Sequence, residues 1–147
     1  MIADTQRSVG GEATPSPTNE RDGSFRTVRL IAPIDQLADV DGLGTALVRL
    51  KDRYPTANVA IHRSAGGYRT WWRSLLRLLP HLDCLAIYPR PDGSIGKGCA
   101  DALGEALERG IPCVVATAHG ISERFVLIRG SDDSYRDAAI VLPELGG

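Results

Sequence analysis

The 147-residue chain suits a single domain, one able to bury roughly two-thirds of its unfolded surface. A hydrophobic fraction of 43% and a formal charge of -1 exclude a general attraction to nucleic acid or anionic lipid, although a local basic patch stays open. No apolar stretch reaches the ~20 residues of a membrane-crossing helix, and the N-terminus lacks the apolar core of a secretory signal. Three cysteines, Cys84, Cys99 and Cys113, form neither a C-x-x-C pair nor a Cys/His cluster with zinc spacing. The composition thus predicts reduced thiols, no metal, no cofactor and a cytoplasmic setting.

Residues 1–26 are rich in Gly, Ser, Thr, Pro and charge, with almost no apolar periodicity. Such a segment cannot bury enough surface to offset its ordering entropy, so a disordered tail is expected, with the domain at 27–147. Val28, Leu30 and Ile31, ending at Pro33, predict a first strand. Val40, Leu43, Leu47 and Leu50 fall at helical spacing and predict a helix over 40–53, with Asp39 or Asp41 as its cap. Gly42 and Gly44 weaken its first turns, by up to about 1 kcal/mol each. Tyr54-Pro55 ends it, and residues 57–62 read as a second strand.

The clearest helix is 68–79. Tyr68, Trp71, Trp72, Leu75, Leu76 and Leu79 follow the spacing of one buried face, and Arg69, Arg73 and Arg77 step along the other. That arginine stripe reads as a solvated face, because a nucleic-acid groove would interleave exposed aromatics with it. The Trp pair reads as core, with one indole available to wall a pocket.

Residues 83–118 then form the centre of the chain. An apolar run, 84–88, leads into a glycine-rich turn, a small-residue helix and a second apolar run, 113–117. Unbroken apolar runs are the mark of strands buried on both faces, and strand–helix–strand in one sheet implies a parallel pair with a right-handed crossover. A fifth strand is expected at 124–129, a turn at 130–134 and a short edge strand at 139–142. The element order predicts an α/β domain, doubly wound and Rossmann- or flavodoxin-like. It would hold a mostly parallel sheet of about five strands with helices on both faces.

In such sheets ligands settle outside the carboxyl ends of the strands. The turn D-G-S-I-G-K-G, residues 92–98, lies at one of those ends. Glycines allow left-handed backbone and close approach, and N–H groups at a helix start favour an anion. Ser94, Gly96, Lys97 and Gly98 are therefore the expected ligand-holding residues. The spacing fits neither G-x-x-x-x-G-K-[ST] nor G-x-G-x-x-G, since Cys99 and Asp101 stand where those patterns need other residues. Cys99, near a helix start, reads as a packed residue rather than an activated thiol, and Asp101, Glu105 and Glu108 read as a solvated face. Asp35, Asp39 and Asp41 cluster after the first strand, where they could supply an acid or a ribose hydroxyl partner, helix capping accounting for at least one of them. His62, Arg63, Tyr88, Arg90 and His119 should all reach the same sheet edge.

The block D-G-S-I-G-K-G-x(7)-A-x(3)-G-I-P-C-V-V resembles the signature of nucleoside 2-deoxyribosyltransferase-like proteins. It is also similar to the related nucleotide-binding SLOG and TIR group of Rossmann-like domains. Ser94, Gly96, Gly98, Ala106, Gly110, Pro112 and Val114 carry the likeness, which spans roughly residues 28–118. The resemblance implies a Rossmann-like fold and a cleft for a nucleoside, nucleotide or nucleotide-derived ligand. Where the family has its glutamate, this chain has Ala102. If glycosyl transfer or N-glycoside hydrolysis occurs, Asp92 and Asp101 are the candidate catalytic carboxylates. Three readings thus stand: a nucleotide-binding domain, an N-glycosidase or deoxyribosyltransferase, and a non-catalytic interaction module. The expected partner is a nucleotide-like small molecule, without membrane or strong nucleic-acid signal, and a second copy of the chain is left open.

Overall fold

The computed structural model describes residues 24–63, 66–128 and 138–142. Its sheet is built on the two apolar runs. Cys84–Ile87 (β3) is buried at all four positions, and Cys113–Thr117 (β4) at four of five. Thr27–Ile31 (β1) pairs with β3 on one side and with Asn58–Ile61 (β2) on the other, all parallel. Leu30 lies opposite Ala86, and Ala86 opposite Val114, so side chains from three strands line up in rows. The order β2-β1-β3-β4 is completed by Gly120–Ser122 (β5), antiparallel to β4.

Because strand side chains alternate, the sheet carries two cores. Val28, Leu30, Cys84, Ala86, Val114 and Ala116 meet the helix Val40–Arg53 (α1) through Leu43, Ala46 and Leu50. Ile31, Leu85, Ile87, Cys113 and Val115 face the other way, onto Gly67–Leu78 (α2) and Gly96–Glu108 (α3). Ala102 and Ala106 are fully buried, and their small side chains let α3 lie close to the sheet. This is the expected α/β architecture: a mostly parallel five-stranded sheet with helices on both faces.

Three expectations change in detail. The fifth strand of the sheet is Gly120–Ser122, not 124–129, because the chain reverses at residues 118–119 and returns along β4. Within the stretch expected as that strand, Val126–Ile128 (β6) pairs with Ala139–Val141 (β7) as a separate antiparallel ribbon. The ribbon is bound to the glycine turn: Ile140 N–H donates to the Gly93 carbonyl (2.8 Å) and Ile95 N–H to that of Ala138 (3.0 Å). The turn expected at 130–134 lies outside the described residues, as does 1–23 of the expected tail. Phe25, assigned to that tail, is buried against Tyr54 with ring centroids 5.1 Å apart. Asp83 accepts the N–H groups of Arg26 (2.7 Å) and Thr27 (3.0 Å), so the folded unit begins before residue 27. No helix among the described residues is long and apolar enough to cross a membrane.

Candidate functional site

In the order 2-1-3-4, connections leave β1 and β3 in opposite directions and open a crevice at their carboxyl ends. A cleft of about 710 Å³ occupies that place. Ala32, Pro33, Ile34 and Leu37 after β1 form one wall. His62 and Arg63 after β2, with Gly67, Tyr68 and Trp71 of α2, form another. Arg90 and residues 95–99 at the start of α3 make the floor.

That floor starts from the glycine turn. Asp92 accepts the Ser94 N–H (2.9 Å) and hydroxyl (2.7 Å), while Gly93 N–H donates to the Arg90 carbonyl (2.8 Å). Gly93 has φ +90°, and a Cβ there would stand 2.9 Å from the Ile140 carbonyl oxygen, so glycine is required. Helix α3 then begins at Gly96 (φ +75°), inside the stretch expected as the glycine turn. Lys97, Gly98 and Cys99 consequently form its first helical turn. Its cap residue, Ile95, has no side-chain oxygen and points into the core, so the cap position supplies no side-chain hydrogen bond to this helix end. The first N–H groups of a helix have no acceptor within it, and the dipole makes that end positive.

Cations gather around it. Arg90 Nε donates to both oxygens of Asp35 (3.1 and 3.0 Å), and its Nη1 to Ser94 Oγ (3.1 Å). The guanidinium passes over Gly96, where a Cβ would lie 3.5 Å from Nη2. This contact with Arg90 holds the Asp35 carboxyl below the usual carboxylate range. Lys97 Nζ is 2.7 Å from Asp101 Oδ2, which also accepts the Tyr68 hydroxyl (3.2 Å). Burial pushes the Cys99 thiol up to about 12, so it stays protonated despite its place at a helix start.

The opposite wall is fixed by a His62–Trp71 clasp. The Trp71 indole N–H donates to the His62 carbonyl (3.3 Å), and His62 Nε2 lies 3.2 Å from the Trp71 carbonyl and 3.0 Å from Ser74 Oγ. A carbonyl can only accept, so Nε2 carries the ring proton. Burial holds the imidazole below its ordinary value, keeping it neutral. The Tyr68 and Trp71 rings stack with centroids 6.1 Å apart.

Of the expected residues, Gly96, Lys97 and Gly98 line the cleft directly. Ser94 and Asp35 reach it through Arg90. Asp92 is engaged inside the turn and Asp101 by Lys97 and Tyr68. Tyr88 lies on the α1 side, where its hydroxyl donates to Asp39 (2.7 Å); burial and that carboxylate raise it to about 12. His119 sits in the exposed β4–β5 turn, its N–H donating to Thr117 Oγ1 (3.1 Å). The arrangement also adds residues. Tyr68 belongs to the buried stripe by spacing, yet it is 52% exposed and lines the cleft. Ile34, 85% exposed, forms the rim; an isolated apolar residue after a Pro carried no signal. Among the described residues no Asp or Glu lines the cleft, and no group of His, Cys, Asp and Glu is placed to hold a metal ion.

No family model, curated protein or solved structure matches this chain.

Proposed function

We propose that this protein binds a small anionic ligand bearing a flat ring, a nucleoside monophosphate or a related nucleotide, in the switch-point cleft. The observation that carries the reading is the side-chain-uncapped start of α3 opening into a cleft lined by Arg63, Arg90 and Lys97. An anion there would meet main-chain N–H groups, the helix dipole and three cations together. The Tyr68 and Trp71 rings and the Pro33–Ile34 rim offer surfaces for a base. The cleft volume falls within the ~300–1,000 Å³ common for small-molecule sites. The resemblance of the 92–115 block to nucleotide-binding Rossmann-like domains points the same way, and buried free thiols suit a reducing, cytoplasmic setting.

Binding is favoured over glycosyl transfer. That chemistry needs a carboxylate fixed against the sugar carbon. Asp92 and Asp101 are both held outside the cleft lining, and Ala102 is buried.

Calorimetric titration with nucleosides and their 5′-monophosphates tests the proposal. Monophosphates should bind and the bare nucleosides far more weakly. Lys97→Ala combined with Ser94→Ala should weaken the monophosphate by about tenfold or more, the scale of a lost charge-assisted hydrogen bond. Absence of binding, or affinity untouched by both changes, defeats it.

A further inference from the structure

Charge is unevenly spread along the chain. Residues 53–82 contain five arginines and no Asp or Glu, which leaves 12 Lys and Arg against 18 Asp and Glu elsewhere. All five are exposed; Arg53 pairs with Glu123, and the other four, Arg63, Arg69, Arg73 and Arg77, make no ion pair among the described residues. Arg63 lines the cleft mouth, and the other three run away from it along the outer face of α2. Each step of four residues advances the row by ~6 Å, close to the spacing of phosphates along an extended strand.

Helix α2 carries this row against its own stability. Its cap, Gly66, contributes no side-chain hydrogen bond, and no acid stands in its first turn. Arg69 there opposes the dipole, and like charges at i, i+4 repel with no carboxylate between them. A segment that breaks several local rules at once, beside a ligand-sized cleft, is where a binding role is expected. The exposed Tyr68 ring at the head of the row supplies a stacking surface.

Resting on the cleft reading, we infer that the outer face of α2 is a track for single-stranded nucleic acid, leading one nucleotide into the cleft. Charge complementarity commits it to a polyanion. A lipid surface fits poorly, because the apolar side of α2 is packed against the sheet and α3. A linear, regularly spaced row ending at a nucleotide-sized cleft suits a strand better than an acidic protein.

The test uses the full chain and a fluorescein-labelled, mixed-sequence eight-nucleotide RNA, with its DNA counterpart, followed by anisotropy from low to moderate salt. The oligonucleotide should bind at least about tenfold tighter than a monophosphate at low salt. Its logarithmic salt slope should be near about −2 if three arginines engage phosphates. The triple variant R69Q/R73Q/R77Q should lose most of that slope and the excess affinity. It should keep monophosphate binding and melt no lower than the parent, since a repulsive row has been removed. Equal oligonucleotide binding by the triple variant overturns the track, as does equally tight, equally salt-dependent binding of phosphatidylserine vesicles or polyglutamate. The two readings fail separately. Arginine-dependent oligonucleotide binding without any monophosphate binding defeats the cleft and keeps the track. Monophosphate binding with no gain for the oligonucleotide does the reverse.

Discussion

Helices α1 and α3 both start at the carboxyl edge of the sheet, yet their first turns are finished differently. At α1 the chain closes the end itself. Asp39 accepts the Gly42 N–H (3.1 Å), and Tyr88 donates to the same carboxylate (2.7 Å). At α3 the cap position is a buried isoleucine, and left-handed Gly96 leads into a turn facing the cleft. One helix start takes a side-chain hydrogen bond from its own cap residue, and the other has a cap residue that offers none. The contrast teaches that two glycine-bearing helix starts, alike in sequence, can differ wholly in how the cap position finishes them.

The largest effect tests whether the difference is confined to the ends. Leu50 and Leu103 are both fully buried on the inner faces of their helices. Each change to Ala should cost about 2–5 kcal/mol in chemical denaturation, because both helices are anchored by equivalent cores. A much smaller loss for Leu103 would mean that α3 is loosely held along its whole length.

Two glycines sharpen the contrast. A Cβ on Gly42 would stand 2.1 Å from the Tyr88 hydroxyl and 2.4 Å from Asp39 Oδ2, so Gly42→Ala must part the capping pair. Its melting temperature should fall by several degrees despite the gain in helix propensity. On Gly98 the added Cβ meets only the half-exposed Tyr68 ring, at 3.0 Å. That ring can yield, so Gly98→Ala should leave stability unchanged or raise it by up to about 1 kcal/mol. It should also crowd the cleft and weaken ligand binding. Gly96→Ala, at φ +75°, should cost about 1–2 kcal/mol through backbone strain.

The smallest effect is a pH slope. Burial holds the His62 imidazole below its ordinary 6.5. The unfolded chain therefore takes up a proton first as pH falls, so this contribution is present above about 6.5 and declines below it. Thermal melts across that window should show the decline, and His62→Gln should flatten it. The depressed carboxyls of Asp35, Asp39 and Asp92 act in a separate window, below 3.8.

Much of the fold was legible because its signals are local and redundant. The helix at 40–53 and the strands of the central unit follow from apolar spacing, with bounds that differ by a residue or so. The β4–β5 hairpin escaped notice because three residues carry no period, and β6 with β7 were read as sheet because short apolar runs do not name their partner. At the site, glycine spacing points to a stretch whose residues Gly96, Lys97 and Gly98 line the cleft. It could not separate Gly96, which needs left-handed backbone, from Gly98, which does not. The edge position of Tyr88 says nothing of its face, which alternation along β3 turns toward α1. The carboxylates Asp92 and Asp101 looked available because local hydrogen bonds to Ser94 and Lys97 depend on side-chain placement that spacing does not encode.

The most direct test is a nitrogen-15 NMR titration with adenosine 5′-monophosphate, reading the backbone amides at the two helix starts side by side. Binding in the cleft should give saturable shifts at Gly96, Lys97 and Gly98, with Gly42 and Leu43 unmoved. Shifts at the α1 start instead, or none at either at millimolar ligand, would contradict it.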